Sequence, residues 1–242
     1  MQSIKTLAII LAAGSGSRMQ MEVPKQYLHL NGIPMMVYSL KTFEESCVDD
    51  IAVAVPEDDI EYVDKNIIKK YGISKVLYIS KGGKSRYESV YNALLHPAVL
   101  KKKYDLVLIH DAARPAVSKN IIENSIKGGL KFKAYVPAVL SKDTVKIADE
   151  NGFSRLTPDR KDIYCIQTPQ AFSYELCKNA YRKLFEAGDF RGVTDDAAVI
   201  EKMTDIKVKL GYGEYTNIKV TTSEDVEIIE MFLNILFKML VQ

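Results

Sequence analysis

The chain alternates short apolar runs with longer amphipathic stretches, and no other feature constrains its fold as strongly. The apolar runs are rich in Ile, Val and Leu and are bounded by polar or turn residues, as expected of buried strands: 7–11, 51–55, 76–79, 106–109 and 134–139. Between them lie stretches of helical periodicity, at 35–45, 60–71, 86–95 and 119–130. This order predicts parallel βαβ units, and hence a three-layer α/β fold with a mostly parallel, twisted sheet.

No internal repeat and no linker rich in Pro, Gly or Ser divides the sequence, so we predict one domain over residues 1–242. One segment, at about 140–164, interrupts the alternation. It contains Asn151-Gly152 between short β-type runs, a pattern typical of a hairpin. We therefore expect a β-arm that projects from the sheet, either as a surface excursion or as an arm that reaches a second subunit.

Composition excludes several classes of protein. Apolar residues make up 47% of the 242 and charged residues 26%, which is typical of a soluble globular protein. Lys and Arg number 33 against 31 Asp and Glu, so we expect no general basic field and no nucleic-acid partner. The 3 cysteines include no CxxC pair, which argues against a disulfide framework or a structural zinc site and favours a cytoplasmic protein.

Two apolar segments could be mistaken for a signal peptide and a membrane span. The run 7–13 follows Lys5, but it is short for a signal peptide and leads directly into a glycine-rich turn, so a buried first strand explains it better. The apolar stretch 226–241 carries polar residues at helical spacing, which predicts an amphipathic helix and no membrane span: Glu227, Glu230, Asn234 and Lys238.

A glycine loop, Ala-Ala-Gly-Ser-Gly-Ser-Arg-Met at 12–19, follows the first predicted strand. Glycines there let the backbone approach a ligand closely, and exposed N–H groups can bind phosphate. The dinucleotide fingerprint would require a glycine at Met19, and the acidic residue expected about 20 residues on is missing, so an oxidoreductase is disfavoured. A phosphate-binding P-loop ending in Gly83-Lys84-Ser85 fails because its first glycine would fall on Tyr78.

Cationic and acidic residues lie near these predicted strand ends. Arg18 and Lys25 could converge on a triphosphate, or they could be solvated surface charges. Asp111 follows the strand at 106–109, and ligands of open α/β sheets bind outside the carboxyl ends of the strands. A carboxylate beside a phosphate site is a natural Mg²⁺ ligand, although a turn-forming aspartate is the simpler alternative.

Three further patterns are weak when taken singly. Gly82-Gly83 precede Ser89 at a loop-to-helix start, where a backbone and a hydroxyl could read a base edge or could simply cap a helix. Thr194-Asp195-Asp196 opens a helix, with the chemistry of an ordinary N-cap and first turn. The segment 217–221 is predicted to be a strand that carries one lysine, Lys219.

Taken together, the motifs resemble the 2-C-methyl-D-erythritol 4-phosphate cytidylyltransferases of the non-mevalonate isoprenoid pathway. The matching segments occur in family order over almost the whole chain: 12–19, 24–26, 82–89, 110–115, 143–144, 167–170, 194–197 and 217–222. The resemblance implies a Rossmann-like nucleotidyltransferase fold with a β-arm that builds a homodimer. It also implies a reaction, in which the CMP moiety of CTP is joined to the phosphate of the substrate and pyrophosphate is released.

The resemblance implies a role for each matching residue. The cytidine would be held by Ala12, Ala13, Gly14, Gly83 and Ser89. Arg18 and Lys25 would stabilise the transition state, and Asp111 would hold Mg²⁺. The sugar phosphate would be surrounded by Thr144, Arg160, Thr168, Thr194 and Lys219, of which Arg160 and Lys219 count among the catalytic residues and Arg160 would come from the partner subunit.

Two alternatives remain at this stage. The sister family of ribitol 5-phosphate and other pentitol phosphate cytidylyltransferases has the same nucleotide site, but Thr194-Asp195-Asp196-Ala197 looks more like the methylerythritol enzymes. A nucleotide sensor without activity would have no need of Arg18, Lys25 and Asp111. A phosphate monoester has a second pKa near 6 and needs no general base to attack, so the lack of a paired-carboxylate or histidine motif fits a cytidylyltransferase.

Overall fold

A computed structural model of the chain describes residues 4–14 and 25–240, with side chains described for all of these except 25 and 235–240. The strands are β1 (Thr6–Leu11), β2 (His29–Leu30), β3 (Ile33–Pro34), β4 (Asp50–Val55), β5 (Val76–Lys81), β6 (Leu106–Asp111), β7 (Ala134–Leu140), β8 (Ile147–Ala148), β9 (Ser154–Leu156), β10 (Tyr164–Ile166), β11 (Gln170–Ser173) and β12 (Lys209–Tyr212). The helices are α1 (Met35–Glu44), α2 (Ile60–Val63), α3 (Arg86–Leu94), α4 (Pro97–Leu100), α5 (Lys119–Phe132), α6 (Tyr174–Ala187), α7 (Asp196–Met203) and α8 (Ser223–Leu240).

The central sheet is mostly parallel, as predicted. Its strand order is β10–β7–β11–β6–β1–β4–β5, and β12 pairs with β7. β1 pairs in parallel with β4 on one side and with β6 on the other, whereas β10 and β11 run antiparallel to their neighbours. The chain therefore leaves β1 in one direction, toward β5, and returns to β6 on its other side. Such a change of direction opens a crevice at the carboxyl ends of the strands.

Buried side chains cover both faces of the sheet, which confirms the three-layer arrangement. Along β1, Ala8 and Ile10 belong to a core shared with α1 and α5, while Leu7 and Ile9 belong to a core shared with α3, α6 and α7. Successive strand residues point to opposite faces, so a continuous apolar run is what a strand needs when helices cover both of its sides.

The predicted helices are present, with one difference in the stretch at 60–71. α2 spans only Ile60–Val63, and a π-helical segment follows over Asp64–Lys69. The wider turn leaves Val63, Ile67 and Ile68 buried together against the sheet. α8 confirms the predicted C-terminal helix over its described part. Among the described residues, no helix is long and apolar enough to cross a membrane.

The arm, which we define as residues 140–164, leaves the sheet between β7 and β10. Its two short strands, β8 and β9, pair antiparallel with each other and with no strand of the central sheet, as the hairpin signal predicts. The carboxylate of Asp149 accepts the N–H groups of Asn151 and Phe153 at 2.9 Å each and closes the turn. Gly152 adopts φ +84°, where a side chain would be strained.

Candidate active site

The loops after β1 and β5 lie side by side at the carboxyl edge of the sheet. The N–H of Ala12 donates to Ala54 O at 2.8 Å, and the N–H of Gly82 donates to Val55 O at 2.7 Å. A Cβ added at Gly82 would lie 2.3 Å from the Cβ of Ala13, so only glycine permits this close approach. The structure thus brings together the two loops that the sequence assigns to the nucleotide, with Ala13 and Gly14 accessible at their rim.

The second loop is closed by a variant of the capping box at the start of α3, in which the acid bonds to the N–H one residue before the N-cap Ser85. The Ser85 side chain accepts the N–H of Glu88 at 3.2 Å, and the Glu88 carboxylate accepts the N–H of Lys84 at 2.7 Å. Ser89 Oγ accepts the Gly83 N–H at 2.9 Å and donates to Ser85 O at 3.0 Å. In this structure the hydroxyl of Ser89 therefore holds the loop together.

Asp111, at the end of β6, lies between two cations. Its Oδ1 accepts Arg86 Nε at 3.0 Å and its Oδ2 accepts Lys219 Nζ at 2.6 Å. Burial raises the pKa of this carboxyl, but the charges of Arg86 and Lys219 lower it by more, so that the pKa falls well below its usual range. Asp111 is therefore ionised, and the fold brings it into contact with Lys219, another candidate from the sequence, which lies 108 positions further along the chain.

A second carboxylate in the cluster, Asp196, is one that the sequence does not reveal. Its two oxygens accept Arg86 Nη1 and Nη2 at 2.8 and 2.7 Å, and Tyr181 Oη donates to the same group at 2.5 Å. The Asp196 side chain is 0% exposed. The helix cap is Asp195, whose side chain accepts the N–H of Ala198 at 2.9 Å. The sequence pattern at 194–196 predicts acidic residues at the start of a helix, but it contains no signal that one of them is a buried partner of Arg86.

Thr168, implied as a substrate residue, lies underneath Asp111. Its Oγ1 accepts the N–H of Asp111 at 3.1 Å and lies 3.0 Å from His110 Nδ1. The hydroxyl and the ring are therefore hydrogen-bonded, in a direction set by the tautomer of His110, and Nε2 of the ring lies 3.3 Å from Ser39 Oγ. Burial lowers the pKa of His110 to about 3, so the ring is neutral and acts as a hydrogen-bond partner. In this structure Thr168 fixes the backbone of Asp111.

Arg114 holds the segment that carries Lys219. Its Nη1 donates to Asn217 O at 2.7 Å and its Nη2 to Ile166 O at 3.2 Å, while the N–H of Val220 donates to Ala113 O at 2.9 Å. The prediction of a strand at 217–221 is wrong, because these backbone groups bond to a loop and to a side chain instead of to a neighbouring strand. Arg114 belongs to the sequence motif at 110–115, but nothing in the spacing of that motif indicates that its side chain holds the segment of Lys219.

Three further candidates, Thr144, Arg160 and Thr194, do not join the Asp111 cluster. Arg160 Nη2 donates to Thr144 Oγ1 at 3.1 Å on the exposed arm, and within the described ranges no hydrogen bond or ion pair links either residue to Asp111. Thr194 is exposed immediately before the cap of α7. Arg18 lies outside the described residues, and of Lys25 only the backbone is described, in a 3₁₀ turn.

The predicted magnesium site consists of Asp111 alone. Over residues 4–14 and 25–240, no group of three or more His, Cys, Asp or Glu side chains is arranged to hold a metal ion. Mg²⁺ commonly takes one or two carboxylates together with substrate phosphates, and a carboxylate has about four acceptor positions, of which Asp111 uses two here. The donor set thus fits a cation that is held mainly by a triphosphate.

A parallel α/β sheet with adjoining glycine loops and a charged cluster at its carboxyl edge defines a Rossmann-like protein suited to an anionic ligand. The model of the family "2-C-methyl-D-erythritol 4-phosphate cytidylyltransferase" matches residues 6–235. The chain is 46% identical over 231 residues to the enzyme of that name from Lachnoclostridium phytofermentans, covering 95% of this chain and 96% of the relative. It is 47% identical over 227 residues to that from Lachnospira eligens, covering 93% and 98%.

The solved structures agree. The crystal structure of 4-diphosphocytidyl-2C-methyl-D-erythritol synthase from Anaerococcus prevotii superposes with a TM-score of 0.81 at 36% identity, covering 96% of each chain. The chain belongs to the 2-C-methyl-D-erythritol 4-phosphate cytidylyltransferase family. These names support the methylerythritol interpretation of the sequence and lend no support to the pentitol phosphate alternative.

Proposed function

We propose that the protein transfers the CMP moiety of CTP to 2-C-methyl-D-erythritol 4-phosphate, which yields 4-diphosphocytidyl-2-C-methyl-D-erythritol and pyrophosphate. One observation carries the proposal beyond family membership. Lys219 and Arg86 converge on Asp111 at the carboxyl edge of the sheet, next to the two glycine loops. This is where a nucleotide and a second anion would have to meet.

The chemistry requires two anions to be brought together. An oxygen of the substrate phosphate attacks the α-phosphorus of CTP, and the bond from that phosphorus to the bridging oxygen of the β-phosphate breaks, so that pyrophosphate leaves. The attacking phosphate is mostly dianionic at neutral pH and needs no base, which is consistent with the neutral, buried state of His110. Catalysis then consists of positioning and charge neutralisation, with Lys219, Arg18 and Lys25 as the proposed cations.

Ligand contacts follow from the position of each element. The loop Ala12-Ala13-Gly14 and the loop at Gly83 lie together and would enclose the cytidine, with Ser89 behind them. Thr194 is exposed beside the start of α7, where it can contact the sugar phosphate. Thr168 would act on that substrate through Asp111, because its hydroxyl already bonds to the Asp111 N–H and to His110.

Asp111 would hold a divalent metal ion, most simply Mg²⁺, which supplies positive charge to the triphosphate. Asp196 is fully buried, so the described residues offer one accessible carboxylate and two cations at this place. We therefore expect the metal to bind weakly to the free protein and to enter with CTP. Asp111 would therefore orient the metal–nucleotide complex.

The arm is proposed to complete the site of a second copy of the chain in a homodimer. Its exposed apolar side chains suit a protein partner better than water: Val145 (38% exposed), Ile147 (38%), Phe153 (73%) and Leu156 (53%). Because Arg160 bonds to Thr144, we propose that both residues, and not Arg160 alone, reach the neighbouring site. The unpaired state of Cys47, Cys165 and Cys177 supports a cytoplasmic location.

Pyrophosphate release tests the assignment directly. It should be measured with each of the four nucleoside triphosphates, with methylerythritol phosphate or ribitol 5-phosphate as acceptor, and with or without EDTA. We expect turnover with CTP, methylerythritol phosphate and metal together. Equal rates with ATP, a preference for ribitol 5-phosphate or full activity in EDTA would each contradict one part of the proposal.

A further inference from the structure

Each of the three guanidinium nitrogens of Arg86 donates to a carboxylate of the protein. Nε bonds to Asp111 at 3.0 Å, and Nη1 and Nη2 bond to Asp196 at 2.8 and 2.7 Å. The Arg86 side chain is 26% exposed, whereas that of Asp196 is 0% exposed and also accepts the hydroxyl of Tyr181. One planar side chain thus holds two carboxylates in a fixed relation to each other.

These contacts connect three parts of the proposed site. Arg86 begins α3, directly after the loop that would enclose the cytidine. Asp111 ends β6 beside Lys219, and Asp196 begins α7, two residues after Thr194. The nucleotide side, the strand-end carboxylate and the sugar-phosphate side therefore share a single guanidinium.

Neighbouring contacts fix the same arrangement from both sides. Gln170 on β11 donates to the Asp195 carboxylate at 2.7 Å and accepts the N–H of Ala197 at 2.9 Å. Tyr87, adjacent to Arg86, stacks on Phe190 with ring centroids 4.6 Å apart, which ties α3 to the loop that leads to Thr194. The start of α7 is thus held against α3 by packing and by charge at once.

We infer that Arg86 is a positioning residue for the proposed transfer, because it sets the distance between Asp111 and the start of α7 and thereby aligns the two anionic substrates. The inference rests on the proposed function. Arg86 acts through Asp111 and Asp196, and its own nitrogens need not touch a substrate. Lysine cannot replace it, since an ammonium lacks the planar fork that serves two carboxylates.

A stability role and a positioning role can be separated by removing the whole buried group. Breaking a buried ion pair by a single substitution leaves an uncompensated charge, whereas replacing all partners by apolar residues of similar size is often neutral for stability. The variant Arg86→Met/Asp196→Leu/Tyr181→Phe removes the guanidinium, its buried carboxylate and the hydroxyl that would otherwise lose its acceptor. Lys219 stays on Asp111 in this variant.

The triple variant and Arg86→Lys should be compared with wild type by thermal unfolding, CTP binding and steady-state kinetics. We expect kcat to fall about 100-fold in both, with a higher KM for the sugar phosphate, since misplacement by about 1 Å can cost that much. Arg182→Lys, the same substitution at an exposed position of α6 next to Tyr181, is the matched control and should match wild type. A folded triple variant with kcat within about twofold of wild type would overturn the inference.

Amide hydrogen exchange separates this result from the proposed function. Arg86→Lys should accelerate exchange in a peptide covering residues 193–200, and Arg182→Lys should not. If wild-type protein releases no pyrophosphate from CTP, the proposed function fails, while the exchange measurement still decides whether Arg86 holds α7. Unchanged exchange in Arg86→Lys would reject that role even in an active enzyme.

Discussion

The charged cluster under the glycine loops and the exposed arm supply different halves of the same proposed site. In the cluster, Asp111, Arg86 and Asp196 are largely buried and each is paired with a partner from the same chain. On the arm, the side chain of Arg160 makes one hydrogen bond within the described part of the chain, to Thr144, and both residues are exposed. In one region each of these charges is paired within the chain, and the other region presents its polar groups outward.

This difference has a physical origin. Burying a charge costs several kcal/mol of hydration free energy, which partners within the fold must offset. The cluster must therefore be assembled when the chain folds. An exposed guanidinium keeps its water and can exchange it for an anion at little cost. The cluster can therefore be rigid before any ligand binds, whereas Arg160 becomes useful only where a second chain places it.

The largest effect should come from Lys219, which bonds to Asp111 in the cluster. We expect Lys219→Ala to lower kcat by about 10² to 10³, because a cation beside developing charge acts mainly on the transition state. The matched control is Lys102→Ala, at the opposite edge of the sheet. Lys102 Nζ lies 2.8 Å from Asp50 Oδ2, and the Lys102 side chain is 42% exposed, against 40% for Lys219. If both variants keep normal kcat, the cluster has no catalytic function.

The buried histidine of the cluster should be visible in the pH dependence of stability. The pKa of His110 is about 3 in the folded chain against about 6.5 when unfolded, so the unfolded state binds the proton first as the pH falls. The contribution is fully present above pH 6.5 and is lost toward pH 3, at about 1.4 kcal/mol per pH unit.

Urea unfolding at several pH values between about 6.5 and 5.5, above the range in which most carboxylates titrate, measures this slope. Asparagine can donate or accept a hydrogen bond at Thr168 but does not titrate, so His110→Asn should flatten the slope, whatever it does to stability at pH 7. An unchanged slope in His110→Asn would mean that His110 is not the group that titrates.

Mixed dimers distinguish the two regions most directly. Lys219→Ala damages the site of its own chain, and Arg160→Ala is proposed to damage the site of the partner. Each homodimer should be nearly inactive, but one of the two sites in a mixed dimer would be intact. Random mixing makes about half of the dimers mixed and gives about a quarter of wild-type activity. Co-expression with different tags allows the mixed species to be isolated and assayed; mixed dimers as inactive as the parents would place Arg160 in its own chain's site.

The two regions also differ in how far the sequence predicts them. Strand periodicity placed Asp111 at the carboxyl edge, and Asn151-Gly152 predicted the arm, because both signals are local. The Arg86–Asp196 pair joins residues 110 positions apart, and neither is unusual in its local context. Their burial depends on how α3 and α7 pack, which no short pattern encodes.

The three threonines of the predicted substrate site lie in different environments in the fold. The resemblance placed Thr144, Thr168 and Thr194 in one substrate shell, but Thr168 is 4% exposed beneath Asp111, while Thr144 lies on the arm. A hydroxyl in a motif indicates a hydrogen bond, and only the fold tells whether the partner is a ligand or the protein itself.

The smallest expected effect is that of Thr144→Val, and its value lies in the contrast with Thr168→Val. Loss of the single exposed bond to Arg160 should raise KM for the sugar phosphate by about three- to tenfold and leave the Tm unchanged. Valine has nearly the same shape as threonine, but Thr168→Val removes the acceptor of the buried Asp111 N–H and the hydroxyl that is hydrogen-bonded to His110.

For Thr168→Val we therefore expect a loss of stability of about 1–3 kcal/mol for each group left without a partner. For a chain of this size each kcal/mol lowers Tm by about 2–4 °C. Thermal unfolding and substrate titrations of both variants decide the matter. A lower Tm in Thr144→Val would mean that the arm is part of the folded core. A Thr168→Val protein that keeps its Tm and changes only its KM would mean that Thr168 faces the ligand, so that the two threonines exchange their assigned roles.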